Sequence, residues 1–261
     1  MIRREDAKHT FGRDPEGYDH GRPDYPERVY ELLVERCGLS VGTATFEIGP
    51  GPGTATRRLL ALGAEPLVVI EPDRRLADYL ASWAREVSAP VRVHATTFEA
   101  VDLEPASFDL GVCATAFHWV DQDQGLAKVA ELLRPGGWWA AWWTIFGDPE
   151  RHDAFHEATQ GLLSGNSPVP PPFVLEERDR VRDIEAVGAF GPVAFEVVRW
   201  SRTFSSQEIR SLYGSFSSIT KLPEELRERL LDQLTRVAED EFGGRVERPL
   251  VSAVYSAQRH D

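Results

Sequence analysis

Apolar and polar positions along the first half of the chain alternate between two periods. Short runs that are apolar on both faces, and rich in β-branched or aromatic residues, are typical of strands buried in a parallel sheet. These predicted strands are 44–49, 67–71, 91–96, 108–115 and 137–146. Between them, residues 54–62, 73–87 and 122–133 show helical spacing. Gly63 and Gly136 follow two of these helices, where a left-handed residue is favoured.

The second half of the chain has a less regular pattern. Helices are predicted over 150–164, 175–187, 205–219 and 223–241, and strands over 194–204 and 248–258. The proline-rich segment 167–173 is not helical, because proline lacks the amide donor. We therefore predict an α/β class, Rossmann-like and doubly wound, with a mostly parallel seven-stranded sheet, helices on both faces and a helical cap from insertions.

Composition narrows the function classes. The net charge of −13 disfavours binding to a phosphate backbone, so we expect no nucleic-acid partner. The chain has neither an apolar run of about eighteen residues nor a secretory signal, so we expect no membrane partner. Cys37 and Cys113 suit a reducing compartment, and we expect a cytoplasmic protein. His152 and His156 are four residues apart without a convincing third ligand, so we expect no metal.

The strongest local motif is FEIGPGPGT at residues 46–54, between the first predicted strand and helix. Gly49, Gly51 and Gly53 allow a sharp turn and a close approach of a ligand to the backbone. A dinucleotide-binding fingerprint would place its third glycine or alanine at Thr54. The alternating glycines, with the acid Glu47 two residues before the first, favour a different nucleoside ligand.

Glu71 ends the second predicted strand and is the candidate ribose ligand. A carboxylate there accepts hydrogen bonds from both ribose hydroxyls. The alternative is an acid that stabilises the start of the following helix, although Asp73 is better placed for that.

Residues 11–146 resemble the class I S-adenosylmethionine-dependent methyltransferases. The resemblance is carried by five motifs in the order and spacing of that family: FEIGPGPG, VVIEPD, TTFE (96–99), FDLGVCATAFHW (108–119) and LLRPGGWW (132–139). It implies S-adenosylmethionine as the cofactor. The cofactor-binding residues implied or favoured by these motifs are Glu47, Gly49, Gly51, Gly53, Thr54, Glu71, Thr97, Phe98, Ala114 and Thr115.

The adenine position departs from the family, which usually has an aspartate there. Thr97 takes its place, and a neutral hydroxyl is a weaker acceptor for the exocyclic amine. We expect Phe98 to supply a face on which the adenine stacks.

Within the superfamily, FHWV and the opening segment 11–26 are similar to the small-molecule branch that contains the trans-aconitate methyltransferases. In that family the opening segment folds over the cofactor. The resemblance therefore implies that Tyr18 and Arg22 lie near the methionine end of the cofactor, where Arg22 pairs with the carboxylate. The alternative is a surface arm with a solvated arginine.

His118 is the candidate catalytic residue, because histidine is the usual general base near neutral pH. The alternative, which we favour, is a pocket wall, since methyl transfer to a carboxylate needs no base. One of Trp142 and Trp143 is expected to face the substrate. Tyr213 and Phe216, three residues apart on one helical face, are the predicted substrate-facing residues of the cap, with packing inside the cap as the alternative.

We therefore expect one methyltransferase domain, 1–261. Its parts are an amino-terminal arm (1–30) over the cofactor, a cofactor-binding core (44–146) and a substrate cap (146–173 and 205–245). The predicted acceptor is a small molecule with an oxygen, nitrogen or carbon nucleophile, such as a carboxylate or a natural-product intermediate. The alternatives are a non-catalytic cofactor-binding protein and an NAD-dependent oxidoreductase. The sequence leaves open whether the protein forms a homodimer.

Overall fold

A computed structural model describes residues 15–164 and 177–260. In this part of the chain the strands form one seven-stranded sheet. In chain order they are β1 Thr43–Ile48, β2 Ala64–Ile70, β3 Val91–His94, β4 Phe108–Ala114, β5 Leu133–Ile145, β6 Ala194–Ser205 and β7 Arg245–Gln258. Across the sheet they lie in the order β3-β2-β1-β4-β5-β7-β6.

Helices connect β1 to β2, β2 to β3, and β4 to β5. Those over the described residues are α1 Pro15–Gly21, α2 Glu27–Glu35, α3 Thr54–Ala61, α4 Arg74–Glu86, α5 Gln122–Leu132, α6 Ala154–Ser164, α7 Glu177–Ala186, α8 Ser206–Gly214, α9 Ser217–Thr220 and α10 Glu224–Asp240. The five predicted strands and three predicted helices of the first half are confirmed. Gly63 and Gly136 both have positive φ, at 98° and 76°.

The sheet has the predicted doubly wound topology. β1 pairs in parallel with both β2 and β4, β2 pairs with β3, and β4 pairs with β5. The chain therefore winds outward from β1 in one direction and then returns to wind outward in the other. The strand order reverses between β1 and β4, and ligands of open α/β sheets bind at the carboxyl ends of the strands at such a point.

By its contacts the chain divides into two compact units. The sheet unit contains Asp24–Thr144, Leu175–Val198 and Ser252–Asp261, and the helical unit contains Met1–Pro23, Ile145–Val174 and Arg199–Val251, as far as these ranges are described. The core of the sheet unit includes Phe46, Ile70, Leu133 and Trp139. The helical unit has its own core, which includes Phe155, Leu212, Leu234 and Leu250. The expected division into arm, core and cap stays a prediction.

Some element boundaries differ from the sequence prediction. The helix predicted over 205–219 is two helices, α8 and α9, because the chain leaves helical geometry at Phe216. The helix predicted from 150 begins at Ala154, since Asp153 Oδ1 accepts a hydrogen bond from the His156 amide at 2.9 Å. The segments 1–14 and 165–176, with parts of the predicted arm and cap, lie outside the described residues. No helix in the described ranges is long and apolar enough to cross a membrane.

Candidate active site

The glycine-rich turn connects the end of β1 to the start of α3. Gly49, Gly51 and Gly53 have φ values of 65°, 57° and 99°, a region that side chains with a Cβ rarely adopt. A Cβ on Gly49 would lie 2.5 Å from the Cβ of Ala116, and one on Gly53 would lie 2.5 Å from Cδ1 of Leu80. The backbone therefore requires glycine at these positions, and the turn touches the segment that follows β4.

Glu71 ties the glycine-rich turn to the helix that follows β2. Its side chain is buried, at 5% exposure. One carboxylate oxygen accepts a hydrogen bond from the Gly51 amide at 3.0 Å, and the other from the Asp73 amide at 2.9 Å. Asp73 itself caps α4 by accepting from the Arg75 amide at 2.9 Å. Each Glu71 oxygen keeps a second lone pair, so the carboxylate can also accept a ribose hydroxyl.

Glu47 lies inside the sheet and is fully buried, at 0% exposure. Its Oε2 accepts a hydrogen bond from the Thr56 hydroxyl at 2.6 Å, whereas Oε1 has no partner among the described residues. Burial raises the pKa of Glu47 to about 7, helped by the charge of Glu71. Burial likewise raises the pKa of Glu71 to about 7. An unpartnered buried carboxylate oxygen just before the turn fits a ligand that carries positive charge.

The two residues predicted to contact the adenine, Thr97 and Phe98, have different surroundings. Thr97 is partly exposed, and its hydroxyl oxygen accepts a hydrogen bond from the Ala100 amide at 3.3 Å. Phe98 is only 2% exposed, and its ring stacks on Phe46 with 6.1 Å between centroids. The ammonium of Lys128 lies 5.5 Å from the same ring. The expectation that Phe98 offers a face to adenine is therefore wrong, because the segment after β3 turns this ring into the core.

The end of β4 carries a backbone strain. Thr115 has a φ of 56°, which is costly for a β-branched residue and is seen mainly at functional sites. Its amide donates to the Trp142 carbonyl at 2.7 Å, and its hydroxyl accepts from the Tyr25 hydroxyl at 3.4 Å. Sequence reasoning missed Tyr25, although it lies within the segment similar to the family's opening. Ala114, partly buried, ends the strand just before this turn.

The two tryptophans at the carboxyl end of β5 have different surroundings. Trp142 is fully buried and meets Tyr25 edge to face, with 5.5 Å between centroids. Trp143 keeps exposed surface, and its indole nitrogen donates to Nδ1 of His118 at 3.4 Å. The guanidinium of Arg180 lies 3.5 Å from the centre of the Trp143 ring. Of the pair, Trp143 is the one that can face a substrate. Nothing in the sequence pointed to Arg180, since its contact with Trp143 joins distant segments.

His118 lies in a 3-10 turn, Phe117–Trp119, after β4. The protein atoms packed around the ring, and then the positive charge of Arg180, lower the pKa of His118 to about 4. His118 is nevertheless exposed to solvent, which works against this shift, and the lowered pKa leaves the imidazole neutral at pH 7.

The other residues predicted to contact the cofactor or the substrate, Tyr18, Arg22, Tyr213 and Phe216, lie in the helical unit. The guanidinium of Arg22 packs over the rings of Tyr18, Phe146 and Phe216, at 5.6, 4.9 and 4.9 Å. It donates to the Ser215 carbonyl at 3.3 Å, while its buried Nε has no partner among the described residues. The predicted contacts of Tyr18 and Arg22 with the cofactor stay predictions.

Tyr213 is part of the core of the helical unit. It is 4% exposed, and its hydroxyl accepts a hydrogen bond from the buried Arg248 at 2.8 Å. The expectation that Tyr213 faces a substrate is therefore wrong, because its helix face packs inward. Phe216 is only partly buried and lies beside Arg22, so its predicted role stays a prediction. In the described ranges, no group of three or more potential metal ligands occurs.

The sequence is similar to a methyltransferase family and to proteins named as methyltransferases. Residues 46–141 match the model of a family described as a methyltransferase domain. A methyltransferase-like protein of Schizosaccharomyces pombe, named as uncharacterised, is 26% identical over 88% of this chain and 86% of its own length. A Mycobacterium tuberculosis protein named as an uncharacterised methyltransferase is 28% identical over 90% of this chain and 87% of its own length.

A solved structure shows the same fold. A Haemonchus contortus phosphoethanolamine N-methyltransferase, in complex with S-adenosyl-L-methionine, has a TM-score of 0.58 and 13% identity over 96% of this chain. This chain spans 57% of the length of that protein. The likeness supports the fold found here.

Proposed function

Because this chain is an S-adenosylmethionine-dependent methyltransferase with the class I fold, we propose that it methylates a small-molecule acceptor at an oxygen, nitrogen or carbon atom. A carboxylate and a natural-product intermediate are the acceptors we favour. We further propose the branch that contains the trans-aconitate methyltransferases, on the similarity of FHWV and of segment 11–26. The net charge of −13 supports a small acceptor over a nucleic acid.

The cofactor part of the proposal is carried by one observation. The buried Glu47 carries a carboxylate oxygen with no partner in the described chain, directly before a turn that only glycine can form. In the proposed site, Glu71 accepts the ribose hydroxyls, and Glu47 offsets the positive charge of the ligand. The helix that begins at Thr54 directs its amides toward the turn, and the segment Ala114–Thr115 borders it, while Thr97 accepts from the adenine amine.

Bound S-adenosylmethionine supplies an electrophilic methyl group. The residues of the chain then have to hold the acceptor in line at near-attack distance and exclude water. Trp143 and His118 are the proposed acceptor-facing residues of the sheet unit. Tyr18 and Arg22 are proposed to contact the cofactor, and Phe216 is proposed to contact the substrate. The proposed cap consists of segments 146–173 and 205–245.

A screen with S-adenosylmethionine labelled on its methyl group tests this function. The protein is incubated with pools of small carboxylates, hydroxyl compounds and amines, and labelled products are separated and identified. We expect label in one acceptor class with the native protein, and none with Gly51→Val, whose branched side chain disrupts the turn.

Two results would contradict the proposal. Tight binding of S-adenosylmethionine without turnover on any pool would favour a cofactor-binding protein that lacks catalysis. An NADH-dependent absorbance change with a carbonyl substrate would instead favour an oxidoreductase.

A further inference from the structure

Two aromatic side chains at the carboxyl edge of the sheet, Trp143 and Trp119, contact the ring of His118. Trp143 donates its indole N–H to Nδ1 of His118 at 3.4 Å. The Trp143 ring itself contacts the Arg180 guanidinium, 3.5 Å from its centre, and meets the Tyr255 ring edge to face, with 5.6 Å between centroids. Trp119 packs against the imidazole with 4.6 Å between ring centroids. The orientation of His118 therefore depends on contacts that do not involve a ligand.

These contacts also determine which nitrogen of His118 carries the proton. An indole N–H can only donate, so Nδ1 must accept, and a neutral imidazole then carries its single proton on Nε2. Arg180 is the charged group that acts on the ring, and its positive charge opposes a second proton. No hydrogen bond within the described chain involves Nε2, and the residue retains exposed surface. Nε2 is thus an available donor and not an available base.

The segment that carries this donor packs closely against the glycine-rich turn. Ala116 lies so near Gly49 that a Cβ on the glycine would be 2.5 Å from that of Ala116. His118 follows two residues later in the same short turn. His118 therefore follows, by two residues, the segment that packs against the turn at which the cofactor is proposed to bind.

We propose that His118 donates its Nε2–H to an oxygen atom of the methyl acceptor, with Trp143 as the positioning residue that fixes the ring. This assigns to the acceptor a hydrogen-bond-accepting oxygen beside or at the methylated atom. It also removes the general-base role, so the nucleophile must react without giving its proton to His118. The proposal rests on the proposed function, because it needs a methyl acceptor at this edge of the sheet.

The tautomer can be tested without knowing the acceptor. Nitrogen-15 spectra of the imidazole in the intact protein, assigned by comparison with His118→Gln, should show the neutral Nε2–H form from pH 6 to pH 8. Trp143→Phe removes the indole donor, so we expect the single Nε2–H form to give way to a mixture of the two neutral tautomers. Trp138→Phe, on the same strand, should leave the spectrum unchanged.

Two results of this experiment would overturn the proposal. One is an Nδ1–H form in the native protein. The other is a native titration with a midpoint near 6.5.

The acceptor contact is tested by the reaction itself, with the acceptor found in the labelled-methyl screen. A Gln amide can place its N–H where Nε2 lies, whereas the shorter Asn reaches only the position of Nδ1. We expect kcat/KM of His118→Gln within about threefold of native, and that of His118→Asn lower by about tenfold to a hundredfold, as for other lost donors to a reacting oxygen. S-adenosylhomocysteine affinity should stay native in both variants.

The outcomes separate the proposal from the function on which it rests. Equal losses in the two variants would overturn the donor role, and so would a native rate that rises with pH through about 6.5 and becomes flat in His118→Asn. Absence of labelled product from every pool would contradict the proposed function, and the acceptor contact would fail with it. The nitrogen-15 spectrum tests the tautomer of His118 independently of that result.

Discussion

Replacement of Glu71 by alanine tests the cofactor site at its best-defined contact. The carboxylate accepts the Gly51 and Asp73 amides and has a lone pair left on each oxygen for a ribose hydroxyl. Loss of a charged acceptor from the ribose should weaken S-adenosylhomocysteine binding by about 1.5–3 kcal/mol, roughly tenfold to 150-fold in Kd. Isothermal titration calorimetry measures this difference directly.

The same substitution also leaves two backbone amides without their acceptor, so a lower affinity alone does not prove a ribose contact. A cycle with the 2′,3′-dideoxy analogue of S-adenosylhomocysteine separates the two effects. If Glu71 holds the ribose, the analogue binds the native protein more weakly but loses little further in Glu71→Ala. Glu99→Ala, an exposed acid near the same edge, should bind both ligands as the native protein does. Fully additive losses, or an unchanged Kd in Glu71→Ala, would refute the ribose assignment.

Three further predictions follow from other contacts. Gly51→Val should abolish S-adenosylhomocysteine binding in calorimetry, because residue 51 has a φ of 57°. S-adenosylmethionine should bind more tightly at pH 8 than at pH 6 and release protons on binding, because its positive charge favours the ionised forms of Glu47 and Glu71, whose pKa burial raises to about 7. Asp153→Ala should lower the free energy of unfolding by about 3–5 kcal/mol, because it leaves the buried Arg248 without the carboxylate that its Nε contacts at 2.8 Å.

Matched variants give each of these predictions a control. Gly161→Val, in α6, should retain binding, since a Cβ there meets no atom within 4 Å. Buffers of different ionisation enthalpy report the released protons, and equal affinities at pH 6 and 8 would contradict the charge argument. Asp232→Ala breaks an exposed ion pair with Arg210 and should cost less than about 1 kcal/mol. A similarly small loss in thermal unfolding of Asp153→Ala would contradict the burial argument.

The raised pKa values of the two acids also set a pH dependence of stability. Between about 4.5 and 7 the folded protein holds more protons on Glu47 and Glu71 than the unfolded chain does. Their contribution to the free energy of unfolding is therefore largest at the acid end of this window and is lost as pH rises through about 7. Denaturant titrations of native protein and Glu47→Gln should show a steeper decline with pH in the native protein.

Local sequence signals predicted the sheet and the turn because each depends on neighbouring residues. The strands follow from short apolar runs, and the turn follows from Gly49, Gly51 and Gly53, which the backbone needs at positive φ. Glu71 was predicted from its place at the end of a strand, but its hydrogen bond to the Gly51 amide was not. That contact spans twenty residues, and only the folded sheet brings the two groups together.

The errors arose where an apolar residue could face either a ligand or the core. Phe98 and Tyr213 lie on segments whose apolar periodicity predicts a buried face, but periodicity does not show whether a ligand or the protein core buries it. In the structure, both rings pack into the core. Arg180 and Tyr25 were missed for a related reason. They meet Trp143 and Thr115 through the tertiary fold, at sequence separations that a pattern does not encode.

Calorimetric titration of the native protein with S-adenosylhomocysteine and, separately, with NAD tests the central claim most directly. The alternating glycines, the unpartnered oxygen of Glu47 and the buried Glu71 together predict Kd values on the micromolar order for S-adenosylhomocysteine and far weaker binding of NAD. NAD binding as tight as that of S-adenosylhomocysteine, or no detectable binding of S-adenosylhomocysteine, would contradict the account.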